Sequence, residues 1–220
     1  SLGEALSYLE GVVQEKLPED VSVDYKGESQ LYKESGSSIV FVFGLALVIT
    51  FLVLAAQFES FIHPLVIMLA VPMAIVGALI GLYVTGMSIN IYSQIGIVML
   101  IGLAAKNGIL IVEFANQLRD SGVEFKEAVL RASRQRLRPI VMTAFTTLMS
   151  AMPLILGSGP GAESRQVIGT VIFAGVAVSA FLTLFVIPAL YIALAQKTSS
   201  PMAITRKLES MQEEYPDHHS

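Results

Sequence analysis

The sequence predicts an all-α membrane protein, a bundle of five transmembrane helices preceded by the end of a larger α/β domain. Composition is the first observation behind this fold class. Of the 220 residues, 54% are hydrophobic and 15% are charged, whereas a soluble domain carries about 25% charge. The second observation is that the apolar residues fall into five separate runs. Each run is close to the roughly 20 residues that a membrane-spanning helix needs.

Residues 1–37 form a polar segment in which we predict a helix, a short strand and the start of a second helix. Apolar side chains repeat at helical spacing until Pro18, where the first helix ends. The strand rests on apolar residues that alternate with polar ones: Val21, Val23 and Tyr25. The second helix is expected to begin near Ser29 and to lead into the membrane. Because the segment is too small for a core of its own, and the first methionine is Met68, we expect a piece of a longer protein.

Five apolar runs are the predicted transmembrane helices: 39–56, 63–84, 91–115, 139–156 and 167–195. In the connection 116–138, a modest apolar stripe among charges predicts an amphipathic helix on the inner membrane surface. A lipid-sensing or calmodulin-like role is the alternative to a plain cytoplasmic connector, which we favour. Gly77 and Gly81 give the second span a small-residue face that suits close helix packing. The polar tail, residues 196–220, is expected to be disordered.

The placement of lysine and arginine predicts the orientation of the chain in the membrane. Nine of these residues lie in the 116–138 connection and in the tail, so both are assigned to the cytoplasmic side. Five spans then put the amino-terminal segment outside. The outer side carries four such residues: Lys16, Lys26, Lys33 and Arg165.

Lys106 is the most informative residue of the third span, because the run around it is apolar on nearly every side. A lysine near the middle of a spanning helix costs about 2.5–3.5 kcal/mol on insertion scales, and such residues usually face a bundle interior or a water-filled path. Snorkelling of the ammonium group toward the interface is the alternative. The neighbouring Asn107 favours an inward, hydrogen-bonded environment, because an amide that faces lipid would be unsatisfied.

The fourth span carries a second polar set, spaced by seven, four and three residues: Arg136, Thr143, Thr147 and Ser150. They form one stripe if the helix continues through Pro139. If the helix instead begins at Pro139, Arg136 lies just outside its amino-terminal end. Bonding to their own helix is the favoured interpretation for Thr147 and Ser150, and Thr143 stays open between that and a functional role. The five runs contain no aspartate, so the counter-charge for Lys106 is expected from elsewhere in the protein. A lysine beside a carboxylate that binds and releases a proton makes a workable switch.

These stretches are similar to signature sequences of the resistance-nodulation-division (RND) multidrug efflux transporters, in their hydrophobe/amphiphile efflux branch. GLAAKNGILIVEFA at 102–115 resembles their signature helix, and RLRPIVMT at 136–143 resembles the start of the following helix. QFES at 57–60, Pro72 and GSGPG at 157–161 also fit the family pattern. The resemblance covers essentially the whole chain except the tail, and its motifs are together highly specific.

The resemblance implies a carboxy-terminal half-bundle, with residues 1–37 as a short α/β remnant of a periplasmic porter domain. In the family, an aspartate pair inside the membrane carries the proton beside a lysine. Lys106 matches that lysine and Asn107 its neighbour, while Arg136 and Thr143 match an arginine and a threonine of the same proton relay. The aspartates are not in this chain, so it is not expected to transport alone. Protons are the implied coupling ion, and no cofactor and no metal are implied.

Family members are homotrimers of the bacterial inner membrane that join a periplasmic adaptor protein and an outer-membrane channel. The resemblance therefore implies export of hydrophobic or amphiphilic compounds, driven by the proton-motive force. The alternatives are another RND branch, for metal, lipid or protein export, or a non-transporting membrane scaffold subunit. An enzyme is not expected, because the sequence offers no nucleophile–base set and no phosphate loop. A nucleic-acid partner is not expected either, since no basic patch carries interleaved aromatics.

Overall fold

The computed structural model describes residues 2–16 and 23–195, and the regular structure in this part of the chain is entirely helical. Its seven helices are α1 (Leu2–Lys16), α2 (Glu28–Phe58), α3 (Ile62–Met68), α4 (Ala70–Thr85), α5 (Ile91–Asp120), α6 (Phe125–Leu156) and α7 (Ala162–Leu194). The tail that the sequence assigns to disorder, residues 196–220, lies outside the described residues.

Five helical segments are long and apolar enough to cross a membrane, which confirms the predicted all-α membrane class. They are Ile39–Phe58 in α2, Ile62–Thr85 across α3 and α4, and the helices α5, α6 and α7. A helix satisfies its own backbone polar groups, so these segments can expose apolar side chains to lipid without unpaired amides.

The amino-terminal segment differs from the prediction, because residues 23–26 form no strand. A strand needs a neighbour for its backbone amides and carbonyls, and residues 2–16 and 23–195 contain no second strand that could pair with it. The hydroxyl of Tyr25 instead donates a hydrogen bond to Glu10 on α1. Val21 lies outside the described residues. The α/β character expected for 1–37 is therefore not found in the part that is described, whereas α2 does begin beside Ser29 and continues into the first span.

The sequence predicts that a connector ends at residue 138 and that a separate span begins at Pro139. In the structure, α6 is one helix from Phe125 to Leu156 with Pro139 inside it. A proline within a helix removes one backbone hydrogen bond and crowds the carbonyl four residues earlier, but the turns on either side can still pair. The polar residues from Arg136 to Ser150 therefore lie on one continuous helix.

The second span is interrupted at Leu69, which separates α3 from α4. Pro72 has no N–H to donate to the carbonyl of Met68, and its ring crowds that carbonyl. The backbone responds with a tighter turn, in which the N–H of Leu69 donates to the carbonyl of Val66 at 3.3 Å. Ile62–Thr85 nevertheless has the length and composition of one membrane span.

Helix α7 lies at the centre of the bundle and packs against α3, α4, α5 and α6. Glycines allow the helix backbones to come close together. A Cβ atom on Gly77 of α4 would lie 2.8 Å from the carbonyl oxygen of Ala174 on α7, and one on Gly175 would lie 3.1 Å from that of Ala74. The small-residue face expected on the second span is thus confirmed as the α4–α7 contact.

Candidate functional site

A small cavity lies between α5, α6 and α7 at the level of Lys106. Its volume is about 20 Å³, enough for one water molecule. It is lined by Leu103, Lys106, Asn107, Thr143, Ala144, Thr147 and Val176. We refer to it as the Lys106 cavity. Three of the four residues predicted for the proton relay therefore come together at one place, although they belong to two helices that are separate in the sequence.

Helix periodicity explains how α5 supplies two different side chains to this cavity. Asn107 is 6% exposed, and the residues on its side of the helix, Ala104 and Ile111, pack into the bundle. Gly108 permits a close approach, because a Cβ atom there would lie 3.2 Å from the side chain of Ile67 on α3. Lys106, one position earlier, is rotated by about 100° and is exposed on the side of the bundle. Asn107 thus closes the inner wall of the cavity, and Lys106 forms its open edge.

Lys106 has no ion pair within the described residues. Its ammonium group can donate three hydrogen bonds and has no acceptor capacity. In the middle of an apolar span, such a group requires an acidic or strongly accepting partner. The exposed position leaves space for a partner that approaches from outside these five helices.

The hydroxyl groups on α6 bond to their own helix. Thr143 donates to the carbonyl of Ile140 at 3.1 Å, Thr147 to that of Thr143 at 2.9 Å, and Ser150 to that of Thr147 at 2.7 Å. This agrees with the interpretation favoured for Thr147 and Ser150. Because each hydroxyl oxygen keeps its lone pairs, Thr143 can still accept a hydrogen bond from a water molecule or an ammonium group in the cavity.

Arg136 is not part of the Lys106 cavity. It lies seven residues before Thr143 on α6, about 10 Å along the helix axis. Its guanidinium group stacks on the ring of Phe114 of α5, 4.5 Å from the ring centroid. Its Nε atom is buried without a hydrogen-bond partner in the described part of the chain. The structure therefore places the fourth predicted residue near the connector end of α5 and α6, away from the other three.

A second buried polar group, at the connector end of α5, was not anticipated from the sequence. The hydroxyl of Tyr191 on α7 donates a 2.8 Å hydrogen bond to Asn116 Oδ1 on α5. His63 of α3 is fully buried and packs against Tyr191, with ring centroids 5.4 Å apart. We call these three residues the Tyr191 cluster.

Arg119 completes the surroundings of this cluster. Its guanidinium group lies 4.7 Å from the ring centroid of Phe125 and donates to Asn116 Oδ1 at 3.4 Å. Each of these polar residues lies near the end of an apolar run, where polar residues are common. The sequence pattern therefore does not indicate that they contact one another. The cluster joins α3, α5 and α7 at one end of the bundle.

Comparison with known proteins places the chain in a family. It matches the AcrB/AcrD/AcrF family over residues 1–195. It is 40% identical over 198 residues to an uncharacterized transporter of Haemophilus influenzae, an alignment that covers 87% of this chain and 19% of the relative. It is also 40% identical over 195 residues to the toluene efflux pump membrane transporter TtgB of Pseudomonas putida, covering 89% of this chain and 18% of the relative.

The multidrug/solvent efflux pump membrane transporter MepB of Pseudomonas putida gives the same identity of 40%, with the same coverage of 89% and 18%. The chain thus spans less than a fifth of the length of these relatives. The similarity includes the three helices that line the Lys106 cavity, and it confirms the resemblance to RND efflux transporters. The chain belongs to the AcrB/AcrD/AcrF family.

Proposed function

We propose that this chain is the carboxy-terminal membrane part of a multidrug efflux transporter of the bacterial inner membrane. The full-length protein exports hydrophobic or amphiphilic compounds and takes up protons in exchange. The observation that carries this proposal is the meeting of Lys106, Asn107 and Thr143 around one water-sized cavity. Family membership and the efflux pumps among the relatives support it.

In the proposed proton relay, Lys106 is a cation that pairs with a membrane-embedded carboxylate from another part of the full-length protein. When that carboxylate takes up a proton, it loses its charge, and the ammonium group of Lys106 loses its ion pair. The ammonium then turns toward acceptors on its own side of the bundle. The hydroxyl of Thr143 and the amide of Asn107 line the same cavity as Lys106, and the cavity has room for one bridging water molecule.

Arg136 has a different part in this scheme, because it lies about 10 Å from Thr143 along α6. Its positive charge at the connector end of the helix pair favours anionic groups and disfavours free cations there. We propose that it shapes the path of the proton between the Lys106 cavity and the cytoplasm. Its contact with Phe114 holds the guanidinium group in place.

The orientation and assembly follow from the same proposal. The amino-terminal segment lies on the periplasmic side as the end of the porter domain, and the tail lies in the cytoplasm. The full-length protein forms a homotrimer that works with a periplasmic adaptor protein and an outer-membrane channel. A metal, lipid or protein exporter of the same superfamily, or a scaffold subunit that does not transport, is the competing assignment.

The substitution Lys106→Ala in the full-length transporter tests the proposal. We expect drug resistance and proton-coupled export in proteoliposomes to fall at least about 100-fold, since losing one partner of a buried ion pair costs about 3–5 kcal/mol. Lys126→Ala, which removes an exposed lysine in the connector part of α6, is the matched control and should keep full activity. Normal resistance of Lys106→Ala at equal expression would contradict the proton relay, and a scaffold subunit would give that result.

A further inference from the structure

A second cavity lies on the outer side of the bundle, between α6 and α7. Its volume is about 240 Å³ and its lining is apolar. Ala144 and Ala180 are buried at its floor, while Val141, Phe145 and Phe181 are exposed at its sides. Small residues at the floor and large ones at the walls produce a groove. We call it the α6–α7 groove.

The dimensions of the α6–α7 groove suit a slender apolar chain. Along α6 its lining extends from Ile140 to Leu148, nine residues with a rise of about 12 Å between the first and the last. This is less than half of the roughly 30 Å hydrocarbon core, so the groove is short enough to lie within one leaflet of the bilayer. A helix with its side chains is about 10–12 Å wide, so it enters such a groove only with individual side chains. A single flexible hydrocarbon chain can lie along the groove.

Positive charge lies at the connector end of this groove. Arg134 and Leu137 precede Val141 by seven and four residues, so all three lie on the groove face of α6. Arg138 follows Arg134 by one turn, beside the entrance. Both arginines are exposed, and neither has a hydrogen bond or an ion pair within residues 2–16 and 23–195.

The other arginines of this region are already engaged. Arg131 pairs with Glu127 at 2.5 Å, Arg119 lies over Phe125, and Arg136 stacks on Phe114. Two unpaired guanidinium groups therefore remain at the interface end of an apolar groove. Guanidinium binds phosphate strongly, because its planar set of N–H donors matches the phosphate oxygens.

We propose that the α6–α7 groove binds an anionic phospholipid, with one acyl chain between Val141, Phe145 and Phe181 and the phosphate at Arg134 and Arg138. The hydrocarbon chain fills volume that the side chains leave open, and the two arginines neutralise the headgroup. On the orientation proposed above, this leaflet is the cytoplasmic one, whose anionic lipids attract basic residues near the membrane surface. The lipid site depends on the geometry of α6 and α7, and it stands whether or not the protein transports drugs.

Native mass spectrometry of the purified full-length protein, titrated with dioleoyl phosphatidylglycerol and with dioleoyl phosphatidylcholine, tests this site. We expect one tightly bound phosphatidylglycerol per chain, held at least about 10-fold more tightly than phosphatidylcholine, because each arginine contributes roughly a 5-fold gain. The double variant Arg134→Gln/Arg138→Gln should lose this preference. The matched control Lys126→Gln/Arg165→Gln also removes two positive charges, away from the groove, and should keep it.

Blocking the groove tests the acyl-chain part of the proposal. Ala177 lines the groove, so Ala177→Phe should fill it and weaken the binding of both phospholipids about 10-fold or more. If that variant does not elute as the native oligomer, Phe145→Ala/Phe181→Ala removes the walls and should weaken binding in the same way. Equal affinity for the two lipids, or unchanged binding in both groove variants, would overturn the proposal.

Two further results would assign the groove to another ligand. Competition by glycerol 3-phosphate as effective as that by phosphatidylglycerol would show a phosphate site without an acyl chain. The native protein could also bind an uncharged apolar compound and show no lipid selectivity. If Ala177→Phe abolished that binding and Arg134→Gln/Arg138→Gln left it unchanged, the groove would be an apolar ligand site. Drug transport enters none of these measurements, so failure of the efflux assignment and failure of the lipid site are distinguishable.

Discussion

The Tyr191 cluster and the Lys106 cavity are two sets of polar residues at different points along α5. They differ in how completely the residues of this chain surround them. The Tyr191 cluster is closed, since His63, Asn116 and Tyr191 are buried and Tyr191 bonds to Asn116 within the same five helices. The Lys106 cavity is open on one side, since Asn107 is buried but Lys106 is exposed and has no ion pair among the described residues. Ring contacts and the Tyr191–Asn116 hydrogen bond connect the helices around this closed cluster. The open Lys106 cavity has an unpaired charge that a group from another part of the protein can contact. The proposed proton relay requires such an arrangement.

The largest effect expected on stability comes from the closed region. Tyr191→Ala removes a fully buried ring that contacts His63 and Phe125, and large-to-small changes of this kind cost about 3–5 kcal/mol. We expect a strongly lowered melting temperature of the full-length protein in detergent. Transport per folded molecule should stay near normal in proteoliposomes.

Tyr83→Ala is the matched control for this prediction, because Tyr83 on α4 is 87% exposed and fills no space in the bundle. It should leave the melting temperature nearly unchanged. If Tyr191→Ala melts normally but transports poorly, the closed cluster takes part in transport, and the contrast between the two regions fails.

The next effect concerns the open region. Thr143→Ala removes a hydroxyl group from the Lys106 cavity, and a water molecule can replace a hydroxyl more easily than a charge. We therefore expect export to fall by less than about 10-fold, the equivalent of one neutral hydrogen bond, and by less than in Lys106→Ala. The melting temperature should not change.

Thr146→Ala supplies the comparison on the same helix, since Thr146 is exposed, lies outside the cavity and bonds to the carbonyl of Met142 at 2.9 Å. Its export rate should match that of the native protein. A loss in Thr143→Ala equal to that in Lys106→Ala, at matched expression, would mean that the hydroxyl is as important as the charge.

A smaller change is expected from Tyr191→Phe, which keeps the ring and removes the 2.8 Å hydrogen bond to Asn116. Hydrogen bonds between helices in membranes contribute on average about 0.6 kcal/mol, so a decrease of about 1–2 °C at most in melting temperature is the expected result. Arg119 still donates to the same oxygen, which limits the loss. No shift at all would show that ring packing alone stabilises the cluster.

The difference between the two regions also explains what the sequence could predict. The five apolar runs determine the spans locally, because hydrophobic length is a property of each segment alone. The strand expected near Val23 depends on a partner strand, and no described segment supplies one. The continuous helix through Pro139 depends on the turns around the proline, which residue preference alone does not report.

Some site residues can likewise be predicted from their own segment, whereas others depend on contacts between distant segments. Lys106 and Asn107 stand out because a charge and an amide are costly inside an apolar run, and Thr143 joins them through family resemblance. The meeting of Asn116 with Tyr191 links residues 75 positions apart, and no helical period connects them. The separation of Arg136 from the cavity follows from the continuous helix α6, whereas its contact with Phe114 depends on how α5 and α6 pack.

The smallest effect is expected at the far end of the polar stripe on α6. Ser150 is exposed and donates its hydroxyl to the carbonyl of Thr147, and it does not line the Lys106 cavity. Ser150→Ala should leave both export and melting temperature unchanged, because bonding of serine to its own helix adds little to stability. Export and melting should be measured beside Thr143→Ala in the same membranes. If Ser150→Ala slows export as much as Thr143→Ala, the relay follows the whole stripe of α6, and its open region extends beyond the cavity toward the Leu156 end of the helix.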